Sequence, residues 1–394
     1  MKLLHVISSV DPRFGGPIEG IKQIAKVQRA RGDTIEIASA DDPALDMLNA
    51  QGLPVYALGP GRTQYGYTPR FLPWLRAHAH DYDAVIVNGL WQYTTYATWR
   101  ALHGKETPYF VFTHGMLDPW FKHTYPLKHL KKWLFWPWAE YRALRDASAV
   151  LFTCEEERRL ARLSFWLYQC NEAVVNFGTS APAGDPKAQQ ASFLEHYPEL
   201  RGKRLFLFLS RIHEKKGCDL LIEAFATVAR QNPQLHLVMA GPDQTGWQKV
   251  LLARAVQLGI SSQITWTGML SGDVKWGAYR TAEAFILPSH QENFGIVVAE
   301  ALACGLPVLI SNKVNIWREI EADHAGIVAE DTLAGAMSLL ERWLALAVSK
   351  REQMRANALR CFNQRFDVNS AADSLRDALA SRISAPRPSP MGVR

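Results

Sequence analysis

The chain has 394 residues, 48% apolar and 21% charged, with five cysteines and a formal net charge of +6. Those values exclude a disordered or fibrous chain, and the length leaves room for two cores at roughly 100–200 residues per domain. The five cysteines lack any C-x-x-C pair, so neither a disulfide framework nor a zinc cluster is supported; the mild positive balance suits phosphates, nucleic acid or an anionic membrane surface without choosing among them.

The first nine residues carry too short an apolar run for a signal peptide and read as a first strand. No apolar run approaches the ~18 residues of a membrane-spanning helix. Strand patterns follow at 3–7, 34–38, 55–58, 84–87, 109–113, 149–153 and 173–175, with helical stretches such as 18–31 and 71–80 between them. Short apolar runs separated by helices predict a parallel sheet covered on both faces. Residues 178–203 lose the apolar pattern and read as a connection. The alternation restarts at 205–209, 235–240, 264–267, 284–287, 308–310 and 327–329, and helical patterns lie near 333–346, 352–366 and 368–380.

The expected organisation is therefore two Rossmann-like, doubly wound α/β domains in series, residues 1–180 and 204–366, joined by a linker at 181–203. A helix at 367–384 is expected to pack back on the first domain, before a disordered Pro- and Ser-rich tail at 385–394. Ligands in such sheets bind outside the carboxyl ends of the strands, so a cleft between the domains is the expected site.

Four segments at strand ends carry candidate chemistry. The turn after the first strand, Ser8 to Pro17, lacks G-x-G-x-x-G, which counts against a dinucleotide oxidoreductase. Its Gly15 and Gly16 either let backbone approach a ligand or make a plain turn. His114 ends the fifth strand pattern, where it either binds a sugar hydroxyl or is a satisfied structural histidine. Arg211 and Lys216 follow the strand at 205–209 and could neutralise a diphosphate, or simply be solvated. Glu292 and Glu300 bracket Asn293, Phe294, Gly295 and Ile296, where a strand runs into a helix. That helix start favours a phosphate, and Glu300 lies roughly 7–8 Å further along at ~1.5 Å per residue. A nucleotide sugar has hydroxyl groups at both ends and phosphate in the middle.

Residues 122–145 interleave cations, including Lys128, Lys131 and Lys132, with aromatics, including Trp133 and Trp136. They read either as a membrane interface or as core aromatics with a wet lysine face.

In order, Phe14-Gly15-Gly16-Pro17, Thr113-His114-Gly115, Ser210-Arg211 through Lys216-Gly217, and Glu292-Asn293-Phe294-Gly295 through Glu300 to Val308 make the chain resemble the family-four retaining glycosyltransferases. The resemblance reaches to about residue 366 and is strongest over 205–310. It implies the GT-B fold, with two Rossmann-like domains facing a central cleft, and a nucleotide-sugar donor such as a UDP- or GDP-sugar. It implies that Glu292 binds donor-sugar hydroxyls and that Phe294, Gly295 and Ile296 offer amides to the distal phosphate. Glu300 would hold the ribose, Arg211 and Lys216 the departing diphosphate, and His114 the donor sugar. Gly15 and Gly16 would lie under the diphosphate or acceptor. One departure is Lys313 to Trp317, where many relatives carry a glycine-containing loop.

Catalysis by positioning and charge stabilisation, without a metal, is expected. The acceptor is expected to be a lipid-linked glycan of bacterial surface-polysaccharide assembly, reached from the cytoplasmic side of the membrane. Two alternatives stand beside it. One is a related enzyme with a soluble acceptor, or a sugar-nucleotide epimerase; the other is a basic nucleic-acid binder, little supported because the positive charge is spread outside 122–145.

Overall fold

In a computed structural model, which describes residues 1–11 and 16–383, the chain forms two compact units. The first comprises Met1–Phe177 together with the segment from Val368, and the second Gly178–Asp367.

The first unit is built on seven parallel strands: β1 (Lys2–Ile7), β2 (Thr34–Ser39), β3 (Val55–Ala57), β4 (Ala84–Asn88), β5 (Tyr109–Phe112), β6 (Ala149–Phe152) and β7 (Glu172–Val174). Their order is β3-β2-β1-β4-β5-β6-β7, all pairs parallel. Residues of β4, β5 and β6 are buried throughout, as expected of strands covered on both faces. The order reverses between β1 and β4, so the turns after these two strands flank a topological switch point.

The second unit has six parallel strands: β8 (Arg204–Leu209), β9 (Leu235–Ala240), β10 (Ile264–Gly268), β11 (Ala284–Leu287), β12 (Val308–Ser311) and β13 (Gly326–Ala329). Their order, β10-β9-β8-β11-β12-β13, puts its switch between β8 and β11.

Helix Val368–Ile383 packs on helix Pro17–Ala30 and belongs with the first unit. Val368, Ala371, Ala372, Leu375 and Leu379 are buried there. Arg31 pairs with Asp373, and Arg376 lies 3.3 Å from Asp33. The tail at 385–394 lies outside the described residues.

The linker expected at 181–203 is corrected by the structure. Helix Pro186–His196 occupies its centre, capped by Asp185, which accepts from the Ala188 amide at 2.9 Å. It lies against helix Gly272–Thr281. The contact is close backbone packing: a Cβ on Gly277 would meet the Gln189 carbonyl at 2.1 Å. Gln189 Nε2 donates to Asp273 at 3.1 Å, and Arg280 Nε donates to Gln189 Oε1 at 2.8 Å. A joint made by a glycine and a glutamine leaves little apolar periodicity to read.

Candidate active site

The turns after β8 and β11 meet at the switch point of the second unit. After β8 the chain bends at His213, whose Nδ1 accepts from the Lys215 amide at 3.1 Å. A short 3-10 turn, Glu214–Lys216, ends at Gly217 with φ 65°. Only glycine fits there, since a Cβ would lie 2.1 Å from the Pro288 carbonyl. The Lys215 carbonyl accepts from the His290 amide at 2.9 Å and from Ser289 Oγ at 2.9 Å, sewing the two turns together.

That junction places Lys216 Nζ against Glu292 Oε2 in an ion pair, with Lys216 only 5% exposed. Burial of Glu292 favours its neutral acid, but Lys216, with Lys215 and Arg211 beyond it, outweighs that and holds the carboxyl below its usual range. Arg211 remains exposed. Glu292 is fixed on its other side by the loop after β12: its amide donates to the Lys313 carbonyl at 2.9 Å, and its carbonyl accepts from the Asn315 amide at 3.0 Å. Asn315 Nδ2 also donates to Asn293 Oδ1 at 3.3 Å. The segment from Lys313 therefore props Glu292 and Asn293.

Gly295, at φ 73°, precedes helix Ile296–Ala303 and has no side chain with which to cap its first turn. The helix thus presents its first amides and its positive dipole end beside Glu292. Phe294 is buried against Phe366, ring centroids 5.6 Å apart. Glu300, one side of this helix, is buried; Lys275 Nζ donates to Oε1 at 2.7 Å and the Tyr279 hydroxyl to Oε2 at 3.0 Å. Lys275 and Tyr279 are absent from the sequence reading. Their signal was a cation and a phenol four residues apart on one helix, a spacing that puts both on one face.

His114 lies in the first unit, on the turn after β5. Its φ is 46°, a left-handed conformation that costs a non-glycine residue about 1–3 kcal/mol. Glu157, on helix Glu155–Ala161, holds the turn: Oε1 accepts from Thr113 Oγ1 at 2.6 Å and the Gly115 amide at 2.5 Å. Its Oε2 accepts from the amide and Oγ1 of Thr153, both at 2.7 Å. Burial drives the His114 imidazolium down to about 4, so the ring is neutral at physiological pH. Gly16 is exposed at the start of helix Pro17–Ala30 and has an ordinary helical φ of −67°, so no left-handed turn requires it. Gly15 lies outside the described residues.

The basic–aromatic stretch divides. Helix Pro126–Phe135 buries none of its residues; Leu127 is 79% exposed and Leu134 61%, with Leu130 and Trp138 also exposed. Lys128 and Lys131 are exposed, and exposed Trp133 lies 6.0 Å from exposed Trp166. Trp136, expected to face a membrane, is instead 0% exposed and stacks on Phe165 at 4.3 Å. It sits where Pro137 ends the helix and the chain turns into the core. Lys132 is also corrected: it folds inward, its Nζ 4.6 Å over the Trp91 ring, and burial lowers its ammonium from the usual range. Beneath it lies buried Glu140, which accepts from the Trp91 amide at 3.0 Å and which burial pushes up to about 8.

Among the described residues no group of three or more His, Cys, Asp or Glu side chains is arranged to hold a metal ion, and no helix is long and apolar enough to cross a membrane.

Comparison with known proteins bears on the family and the fold. Residues 15–168 match the glycosyl transferase 4-like domain, and residues 192–360 match the glycosyl transferases group 1 model. The chain is 24% identical over 401 residues to the GDP-mannose:cellobiosyl-diphosphopolyprenol alpha-mannosyltransferase of Xanthomonas campestris, covering 98% of both chains. It is 28% identical over 244 residues to the alpha-D-kanosaminyltransferase of Streptomyces kanamyceticus, an alignment spanning 60% of this chain and 61% of that one. In fold it is similar to HepE of Anabaena, solved in complex with UDP, with a TM-score of 0.78 at 20% identity over 97% of this chain and 100% of that one.

Proposed function

We propose, from the premise that this chain belongs to the family-four glycosyltransferases of GT-B fold, that it moves a sugar from a nucleotide-sugar donor to a lipid-linked glycan acceptor. The donor half of this reading is carried by one observation: Lys216, Glu292 and the start of helix Ile296–Ala303 converge at one switch point. A diphosphate meets cations and helix amides there, and the sugar's hydroxyls meet a carboxylate held ionised.

In the proposed reaction the bond between the anomeric carbon and the diphosphate oxygen breaks first, through an oxocarbenium-like state. The acceptor hydroxyl attacks from the same face, and its proton passes to the leaving phosphate, so configuration is retained. Arg211 and Lys216 stabilise the developing negative charge, Glu292 orients the sugar and Glu300 holds the ribose. His114 offers a neutral nitrogen to a sugar hydroxyl. The charge is met by side chains, so activity persisting in excess chelator is the expected result.

The acceptor half rests on helix Pro126–Phe135. An unburied leucine and tryptophan surface beside Lys128 and Lys131 suits an interfacial helix on anionic lipid. The full-length similarity to an enzyme named for a diphosphopolyprenol acceptor supports the same reading.

The donor reading is tested with a panel of nucleotide sugars and Glu292→Gln: turnover should fall about 10²–10³-fold, the loss typical when one transition-state contact is removed. Near-normal turnover would overturn the site. For the acceptor, Lys128→Glu with Lys131→Glu should release the protein from anionic vesicles; a wild type that binds no vesicles favours a soluble acceptor.

A further inference from the structure

We propose that Asn88 is the positioning residue for His114, holding its imidazole as the Nε2–H tautomer so that Nδ1 is an obligatory acceptor for a donor-sugar hydroxyl. The hydroxyl half rests on the reading of His114 given above; the tautomer half stands without it.

Asn88 is the last residue of β4 and is buried. Its Nδ2 lies 3.1 Å from the Ile86 carbonyl and 3.4 Å from the Val6 carbonyl. Carbonyl oxygens only accept, so these two neighbours require the amide nitrogen, not the amide oxygen, on that side. The third neighbour of Nδ2 is His5 Nδ1 at 3.2 Å, which must then be unprotonated.

With the amide fixed, Asn88 Oδ1 points at His114 Nε2, 3.2 Å away. An oxygen without a hydrogen requires a donor, so His114 carries its proton on Nε2. A ring neutral at physiological pH then leaves Nδ1 bare. The tautomer of His114 is thus set two hydrogen bonds back, by carbonyls of β1 and β4.

The groups facing the ring keep it in that state. His5 approaches from β1, Asn88 from β4, and the Phe112 ring of β5 is stacked at 5.3 Å. Phe177 presents its ring at 6.2 Å, and Glu157 is engaged by the amides and hydroxyls of the turn. A second proton on His114 would put a cation beside His5 in an apolar setting, and the His5 ring is likewise held down to about 4, by burial and then by His114.

A substrate class follows. The group meeting Nδ1 must donate a hydrogen, so a neutral sugar with a free hydroxyl there is accepted. A uronic acid presenting a carboxylate oxygen at that point sets acceptor against acceptor and is refused.

The test begins without substrate. Long-range 15N spectra of histidine-labelled protein at pH 7, assigned through His114→Gln, should show His114 neutral with its proton on Nε2. Asn88→Ala should give a mixture of tautomers. A wild-type His114 protonated on Nδ1, or a tautomer unchanged in Asn88→Ala, overturns the proposal. With a turned-over donor, Asn88→Ala should raise KM more than it lowers kcat, and its discrimination against the matching uronic acid donor should shrink about tenfold. An unchanged ratio overturns the hydroxyl half. A correct tautomer in a protein that turns over no nucleotide sugar would instead overturn the proposed function and leave Asn88 in place.

Discussion

Lys216 and Glu292 are 76 residues apart in the chain and meet as an ion pair because two tight turns, after β8 and β11, share the Lys215 carbonyl. Each is the other's direct ion-pair partner in a buried setting, so their effects on stability should not add. Lys216→Met and Glu292→Gln should each lower the melting temperature, and the double variant should regain part of the combined loss. Additivity within ~0.5 kcal/mol would show the pair uncoupled. Because the Glu292 carboxyl is held below its usual range, its contribution is present at neutral pH and lost on acidification through that lowered value.

Lys275 is expected to act through Glu300. It fixes Oε1 while Tyr279 fixes Oε2, which leaves the carboxylate a single orientation. Lys275→Met should weaken binding of the nucleoside diphosphate about tenfold, the scale of one hydrogen bond to a charged group. Isothermal titration with the diphosphate alone measures it. Unaltered affinity would detach Glu300 from the nucleotide.

Glu140 should impose an alkaline cost. Its ordinary value is 4.5, and in the fold burial pushes it to about 8, against the opposing pull of the Trp91 amide and Lys132. Between those values the unfolded chain has lost a proton that the folded chain retains, so stability falls as pH rises, by at most about 1.4 kcal/mol per unit. Melting curves of Glu140→Gln should therefore gain on the wild type from pH 5 to pH 8. Parallel curves would place the carboxyl in contact with water.

Trp136 and Trp133 should respond oppositely to truncation. Trp136→Ala empties a fully buried site stacked on Phe165 and should cost about 3–5 kcal/mol by denaturant unfolding. Trp133→Ala should leave unfolding nearly unchanged and reduce vesicle binding. Equal effects on stability would mean helix Pro126–Phe135 is covered in solution.

The central strands, such as β4, β5 and β6, were legible because parallel strands buried on both faces read as plain apolar runs. The turn from β11 into helix Ile296–Ala303 was legible because an apolar strand run at 284–287 gives way to an apolar helical pattern from Ile296, and Gly295 takes φ 73° at the junction. What escaped was held by polar or backbone contact. Helix Pro186–His196 joins its neighbour through Gly277 and Gln189, and neither residue leaves a periodic signature. Asn88 and Glu157 act through partners 26 and 44 residues away, visible only once β4, β5 and β6 are side by side. Trp133 and Trp136 are three positions apart on a helical pattern, and only the turn at Pro137 decides that one faces out and the other in.

The return of helix Val368–Ile383 to helix Pro17–Ala30 has a consequence for biosynthesis. The first unit emerges from the ribosome early but lacks its last helix until all of Gly178–Asp367 has been made. At roughly 5–20 residues per second, the face that this helix covers waits about 10–40 s for its partner. The second unit, continuous in sequence, can close in that interval. The order of completion is therefore the reverse of the order of synthesis, and the nascent first unit is the one that needs shielding.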